Sequence, residues 1–455
     1  MDPLPLREIA AMAGAALIGP DTSAMVSRFN KDTRTIKPGD LYIGIRGETF
    51  DGNEFASHAF ELGAAAALLD SPTIAEKLAA THPVILAKDS LEALASLAAA
   101  WRSRLKLRVL GITGSSGKTS TKEFAAAVLG SKYRVVKTEG NLNNHIGVPL
   151  SILSAGSEAE AAVWEVGMNH PGEIAPLAKM IQPACAIITN IGTAHIEYMK
   201  TRDAIALEKG MLAEAVPADG AVVLPAEDDK TDAIAARCCA KVVRTGVAKG
   251  DLVATDIQST SEGTNFTVIR DGAKISASIG VHGTHMVQNA LLALAAGLEM
   301  GVPLEKGVKG LAKARLVGGR LEQKTIAGVT YLDDSYNANP ESMEAALSTL
   351  RLVPGSGRRI AVLGKMGELG EHAGEGYRRV GQAAARWADI LFTVGADASS
   401  ISAAARESGL GRIHEVEDTA AAARMLSQLA RPGDLVLVKG SRSARMETLF
   451  EHLRN

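Results

Sequence analysis

Gly114, Ser115, Ser116, Gly117, Lys118, Thr119 and Ser120 have the types and order that hold phosphate groups. Glycines let backbone N–H groups approach phosphate oxygens, a lysine neutralises the β and γ phosphates, and the hydroxyl after it, here Thr119, can ligate magnesium. These residues belong to GITGSSGKTST (111–121), which follows an apolar run at 107–112 and precedes a helix expected to open at Lys122 and Glu123. The spacing departs from the common phosphate loop, because Ile112 stands five residues before Gly117, where a glycine is usual. The bland alternative is a Gly-rich turn with an incidental lysine; the strand and helix on either side favour the phosphate site.

A metal beside such phosphates needs carboxylate or imidazole ligands, expected at the carboxyl ends of neighbouring parallel strands. Glu165 ends the run AAVWE, and His195 follows AIITNIG in the loop TAHIE. Singly, His195 reads as a hydrogen-bonded loop histidine and Glu165 as a solvated strand end, but their matching placement makes both ligand candidates. Lys209, in RDAIALEKGMLAEAV, reads on spacing alone as a solvated surface lysine.

A chain of 455 residues must position these groups, and at that length there is room for about three domains. Residues 1–88 alternate short β-like runs, such as 40–46, with Ala-rich stretches read as helical, such as 54–69. A helical stretch at 91–104 leads into apolar runs at 107–112, 161–166, 184–189 and 220–224, the pattern of a doubly wound parallel sheet. Residues 251–281 alternate polar and apolar, which predicts an added β layer, and a long helix is expected from near His285. After Gly318 and Gly319 the β-then-α rhythm resumes at 329–332, 359–363, 390–394 and 434–438. The expected architecture is therefore α/β in three domains: a small N-terminal one (1–88), a central phosphate-loop domain of mainly parallel sheet (89–313) and a C-terminal Rossmann-like one (314–455). The alanine runs at 64–67, 98–100 and 420–423 read as close-packing surfaces of helices.

Composition limits the partners. A net charge of -2 removes the broad positive field that general nucleic-acid binding needs, so an anion must be held locally. The apolar stretch at 9–18 is ten residues long, short of the 18 or so that cross a bilayer, and it follows Asp2 and Glu8 rather than a basic leader. Neither membrane insertion nor export is expected, which points to the cytoplasm. Cys185, Cys238 and Cys239 lack disulfide-framework and zinc spacing, so they read as buried or inert thiols of a reducing compartment.

Together with DDSYNANPES (333–342) and VKGSRSARME (438–447), these motifs resemble the Mur ligase superfamily of ATP-dependent peptide-bond-forming enzymes in bacterial wall synthesis, along essentially the whole chain. The resemblance implies that Asp32, Thr33 and Arg34, with GETFDGNEF (47–55), bind a UDP-sugar, although Asn53 stands where a histidine is usual. Asn143 and Asn144, in NLNNHIGVPL, match a segment near the muramoyl-peptide substrate. Glu165 and His195 match magnesium ligands, and Lys209 matches a lysine that takes up carbon dioxide to become a carbamate, an anion able to hold a second magnesium that an ordinary lysine would repel. Asn289 resembles an adenine-contacting asparagine, Arg320 an arginine reaching the γ phosphate, and Asp334 an acid that fixes the nucleotide. Tyr336, Asn337 and Asn339 occupy the SYNANP stretch of the dipeptide-adding branch. Two departures are Tyr198-Met199-Lys200-Thr201 in place of Gly-Phe-Gly-Ser, and Tyr377 where a histidine is usual.

The resemblance implies a ligase that joins D-alanyl-D-alanine to the terminal carboxylate of UDP-N-acetylmuramoyl-tripeptide. It would use ATP and two magnesium ions, release ADP and phosphate, and work as a monomer whose C-terminal domain closes over ATP and binds the dipeptide. Another carboxylate-amine ligase of the superfamily is the nearest alternative, and SYNANP argues against it. A nucleotide-dependent switch is the alternative from another class.

Overall fold

Parallel strands buried on both faces need helices to cover them, and the chain supplies these in alternation. The computed structural model describes residues 1–454, whose contacts gather into two units. The first comprises residues 1–111, 133–168 and 173–183; the second comprises 112–132, 169–172 and the chain from Ala184 onwards.

In the first unit a five-stranded sheet runs in the order Ala16–Ile18, Val84–Leu86, Ala66–Leu69, Leu41–Ile43, Phe29–Asn30. All neighbours are parallel except the first pair. Tyr42, Ala59, Ala67, Leu69, Ala75 and Val84 form its core. Residues 54–69 are not one helix: the helix Ala56–Glu61 stops before Gly63, which has φ +96°, and Ala66–Leu69 is a buried strand. A strand buried on both faces has no polar side, so its composition mimics a packed helix. Asp89 caps the helix Ser90–Arg104 by accepting from the N–H groups of Leu91 and Glu92. The strands Val135–Lys137 and Ala161–Glu165 of this unit pair in parallel.

The strand Arg108–Thr113 begins in the first unit and ends in the second. Within the second unit Cys185–Ile188, Ala221–Pro225 and Lys241–Gly246 are parallel. The alternating segment becomes Leu252–Ser259, Thr264–Arg270 and Ala273–Ile279, mutually antiparallel. These strands do not pack as a separate layer but extend the same sheet at its edge, with Gly246 registered to Val253. The helix Thr284–Glu299 buries Val287, Ala290, Leu291 and Leu294.

The C-terminal sheet runs Glu322–Ile326, Val329–Asp334, Leu435–Lys439, Arg359–Leu363, Ile390–Val394, Ile413–Val416, parallel throughout except for the first hairpin. Its last strand in sequence lies centrally, between the second and third. That places Asp334 opposite Lys439 at the carboxyl ends, where ligands of α/β sheets gather. Cys185 is buried, as expected of a buried or inert thiol, whereas Cys239 is exposed, so burial does not extend to it. The vicinal pair follows the short helix Thr231–Ala235, too brief to cover both side chains.

Candidate functional site

The phosphate loop is shaped by two glycines in left-handed or extended-positive backbone. Gly114 has φ +150°, and a Cβ there would lie 1.8 Å from Thr189 Oγ1; Gly117 has φ +79°, and its Cβ would lie 2.8 Å from Asn289 Oδ1. Any larger residue would displace the strand end or the asparagine. The helix runs Lys118–Leu129, starting four residues before the expected opening at Lys122, so Lys118 and Thr119 are its first residues. Lys118 and Thr119 thus stand at the helix's positive end.

Residues at the end of the neighbouring strand clamp the loop. Ser115 N–H donates to Asn190 O at 3.0 Å and Ser116 N–H to Asn190 Oδ1 at 2.9 Å. Thr189 Oγ1 donates to Ser116 O at 2.5 Å, and Gly192 N–H donates to Ser115 Oγ at 2.9 Å. Lys118 Nζ donates to the Gly114 carbonyl at 2.8 Å, folded back over the loop. Thr119 and Ser120 are buried. Sequence reasoning missed Thr189 and Asn190; the only signal for them was a polar pair directly after a buried run.

Lys209 corrects the expectation from spacing. It is fully buried in the helix Arg202–Glu214, and among the described residues its Nζ has no hydrogen-bond partner. Burial, reinforced by the Lys118 charge and opposed by Glu208, holds its pKa well below the usual lysine value. His195 begins the turn Ile196–Met199 with φ +65° and meets Glu368 Oε2 through Nδ1 at 2.5 Å. The contact lies off the N–H direction, so it is a close polar contact rather than a well-formed hydrogen bond. Burial lowers the His195 pKa; Glu368 opposes this, while Lys118 and Lys209 add to it. The mutual influence of Lys118, His195 and Lys209 puts the three in one electrostatic neighbourhood.

The C-terminal segment adds a second cluster. Arg320 stacks on the Tyr336 ring, 3.9 Å from its centroid. Lys439 Nζ donates to Asp334 Oδ2 at 2.6 Å and to the Asn337 carbonyl at 2.9 Å, and Leu321 N–H donates to Asp334 Oδ1 at 3.2 Å. Burial raises the Asp334 pKa, with Lys439 working against it. Asn339 caps the helix Pro340–Leu352 in a capping box with Ser342. Its Nδ2 also donates to Ser116 Oγ at 3.1 Å, joining SYNANP to the phosphate loop. Tyr377, one of the departures, is buried and donates its hydroxyl proton to the Met366 carbonyl at 3.1 Å.

The first unit holds the remaining candidates. Arg34 grips Asp32, Nη2 to Oδ2 at 2.6 Å, and this pairing lowers the Asp32 carboxyl to about 2. Thr33 begins the turn Thr33–Thr35, capped by Asp32. Asn143 Nδ2 donates to Glu165 Oε1 at 2.8 Å, and Asn144 Oδ1 accepts from Gly147 N–H at 2.9 Å to start the helix Gly147–Leu153. Asn53 is fully buried between Asp51 and Asp70, donating to both at 2.6 and 2.8 Å.

Among the described residues, no group of three or more His, Cys, Asp and Glu is gathered for a metal. The second unit instead offers the Thr119 hydroxyl, the His195 imidazole and the partnerless Lys209 amine. This set suits magnesium only once the amine has become an oxygen-bearing anion. A cavity of about 530 Å³ lies elsewhere, at the carboxyl ends of the C-terminal strands beside Lys365, Asp397, Asp418 and Arg445, and none of the expected site residues lines it.

Three family descriptions match successive parts of the chain: Mur ligase family, catalytic domain (29–102), Mur ligase middle domain (112–297) and Mur ligase, glutamate ligase domain (319–442). The UDP-N-acetylmuramoyl-tripeptide--D-alanyl-D-alanine ligase of Bacillus subtilis (strain 168) is 36% identical over 454 residues, covering 98% of each chain. Crystal structure I of MurF from Acinetobacter baumannii superposes with a TM-score of 0.90 at 32% identity, covering 100% of this chain and 99% of that one. The MurF ligase of Thermotoga maritima in complex with ADP gives 0.82 at 28% identity, covering 94% and 96%. With the phosphate loop built as it is and likeness sustained from end to end, this chain belongs to the Mur ligase family.

Proposed function

We propose that this protein joins D-alanyl-D-alanine to the terminal carboxylate of UDP-N-acetylmuramoyl-tripeptide, consuming ATP and releasing ADP and phosphate in peptidoglycan precursor synthesis. One observation carries the reading: Asn339, from the SYNANP stretch, bonds to Ser116 of the phosphate loop 223 residues earlier, so the dipeptide-branch motif sits on the nucleotide-handling loop.

A carboxylate does not condense with an amine in water because oxide is too poor a leaving group. Phosphorylation by ATP supplies a better one. The tripeptide carboxylate attacks the γ phosphorus, ADP leaves, and the acyl phosphate forms; the dipeptide amine then attacks its carbonyl and phosphate departs. Lys118 and Arg320 neutralise charge that develops on the transferring group. The loop from Gly114 to Ser120 cradles the phosphates, with the Ser115 and Ser116 N–H groups held by Asn190 to shape it; Asn289 faces the base, and Asp334 orients the nucleotide. Thr119, His195 and a carbamylated Lys209 would hold magnesium, which supplies charge neutralisation at the phosphates. Glu165 carries the same assignment by resemblance. The partnerless amine of Lys209 supports carbamylation, since only an unprotonated amine adds to carbon dioxide.

Asp32, Thr33, Arg34, Asn143 and Asn144 are assigned to the UDP-muramoyl substrate, and Tyr336, Asn337 and Asn339 to the dipeptide side. We assign the protein as a monomer of the cytoplasm, where ATP is supplied. Steady-state ADP release over many turnovers should require both peptide substrates, and oxygen-18 in the tripeptide's terminal carboxylate should emerge in the inorganic phosphate. Sustained ADP release independent of the dipeptide, or phosphate free of the label, would overturn the reading.

A further inference from the structure

We infer that Glu368 is a positioning residue for His195, holding the imidazole from its Nδ1 side so that Nε2 is the nitrogen turned toward a ligand. The inference deepens the reading above and rests on it for the role of His195.

The two residues come from segments far apart in sequence, and each pays for its place in backbone conformation: His195 has φ +65° and Glu368 φ +59°. Non-glycine residues in this region mark places where surrounding structure imposes a geometry. Here the imposed geometry brings Nδ1 and Oε2 to 2.5 Å. Burial does not account for the contact, since the Glu368 side chain is 41% exposed.

The same two loops are joined at three further points. Glu197 N–H donates to the Glu368 carbonyl at 3.2 Å. Gly370 lies so close to Glu197 that a Cβ would meet its Cγ at 3.0 Å. His372 Nε2 lies 3.2 Å from the Lys200 carbonyl, and Lys200 is itself at φ +69°. The loop therefore delivers Glu368 as part of an organised surface.

A carboxylate against Nδ1 selects the tautomer with its proton there and its lone pair on Nε2, the arrangement a ligating histidine needs. The contact is off-axis, and contacts of this kind in enzymes align as reactants bind.

The test uses the full chain labelled with nitrogen-15 histidine, the His195 signals being those lost in H195Q. At a pH where the imidazole is neutral, the wild-type chain should show the Nδ1–H tautomer. E368A should show a mixture, with kcat lower by about tenfold to a hundredfold and peptide KM values unchanged. E368Q keeps an acceptor oxygen and should retain both the tautomer and most of kcat, even where E368A proves hard to fold. A wild-type tautomer in E368A, or loss of it in E368Q as complete as in E368A, overturns the inference. The spectrum needs no turnover, so a wild-type chain that makes no ADP with both substrates would sink the ligase reading alone.

Discussion

Lys209, in the electrostatic neighbourhood of Lys118, is buried with no hydrogen-bond partner among the described residues, whereas at the carboxyl end of the C-terminal sheet the similarly buried Lys439 gives its amine to Asp334 and the Asn337 carbonyl. The residue type and the burial are the same, and the consequences differ. An ammonium that is desolvated without a partner loses its proton, becoming a nucleophile and a candidate for modification. One that is desolvated against a carboxylate becomes part of the fold, and its removal strands the partner. On this comparison the roles proposed for the loop-side lysines lie in the reaction, and the Lys439 pair lies in the scaffold.

The largest effect expected is from Lys118→Ala, which should raise the barrier to phosphoryl transfer by at least about 3 kcal/mol, roughly 150-fold in kcat, with the melting temperature retained. Rapid-quench measurement of acyl-phosphate formation checks it, and near-normal turnover would remove Lys118 from its role. Lys209→Ala should lower kcat by about a hundredfold, with partial recovery on adding short carboxylic acids. Absence of any recovery would argue that the lysine acts as an amine and not through an anion.

Lys439→Met should instead act on stability, costing about 2 to 3 kcal/mol by denaturant midpoint because Asp334 is left buried and unpaired. The double variant with Asp334→Asn should regain much of that loss; if the two effects simply add, the pair is not the unit described. The smallest effect concerns pH. Burial lowers the His285 pKa from 6.5 to about 4, with Lys439 adding to the shift. The unfolded chain therefore binds the proton first as pH falls, so this stabilisation is present above pH 6.5 and drains away down to about 4. His285→Gln should flatten the fall in stability across that window by about 1 to 3 kcal/mol. An unchanged slope would show that other groups carry it.

Local chemistry made part of this molecule readable. The loop at Gly114 to Thr119 could be assigned because its glycines and lysine act through their own backbone and a helix start a few residues away. The strands Arg359–Leu363 and Ile390–Val394 matched expectation to the residue because they are short apolar runs bounded by turns. Other features misled. Ala66–Leu69 passed for helix because burial on both faces erases the period-two signal, and the Lys118 helix began early because left-handed Gly117 serves as its cap.

The amino-acid order by itself determined the α/β alternation, the phosphate loop and the strand-end placement of His195, since each depends on neighbours within a few turns of chain. Tertiary structure alone decided that Lys209 is buried with no partner among the described residues, that Asn339 reaches Ser116 and that Glu368 meets His195. Burial and charge pairing are set by whatever segment packs alongside, and in this fold that segment is often more than a hundred residues away, beyond the reach of any local pattern.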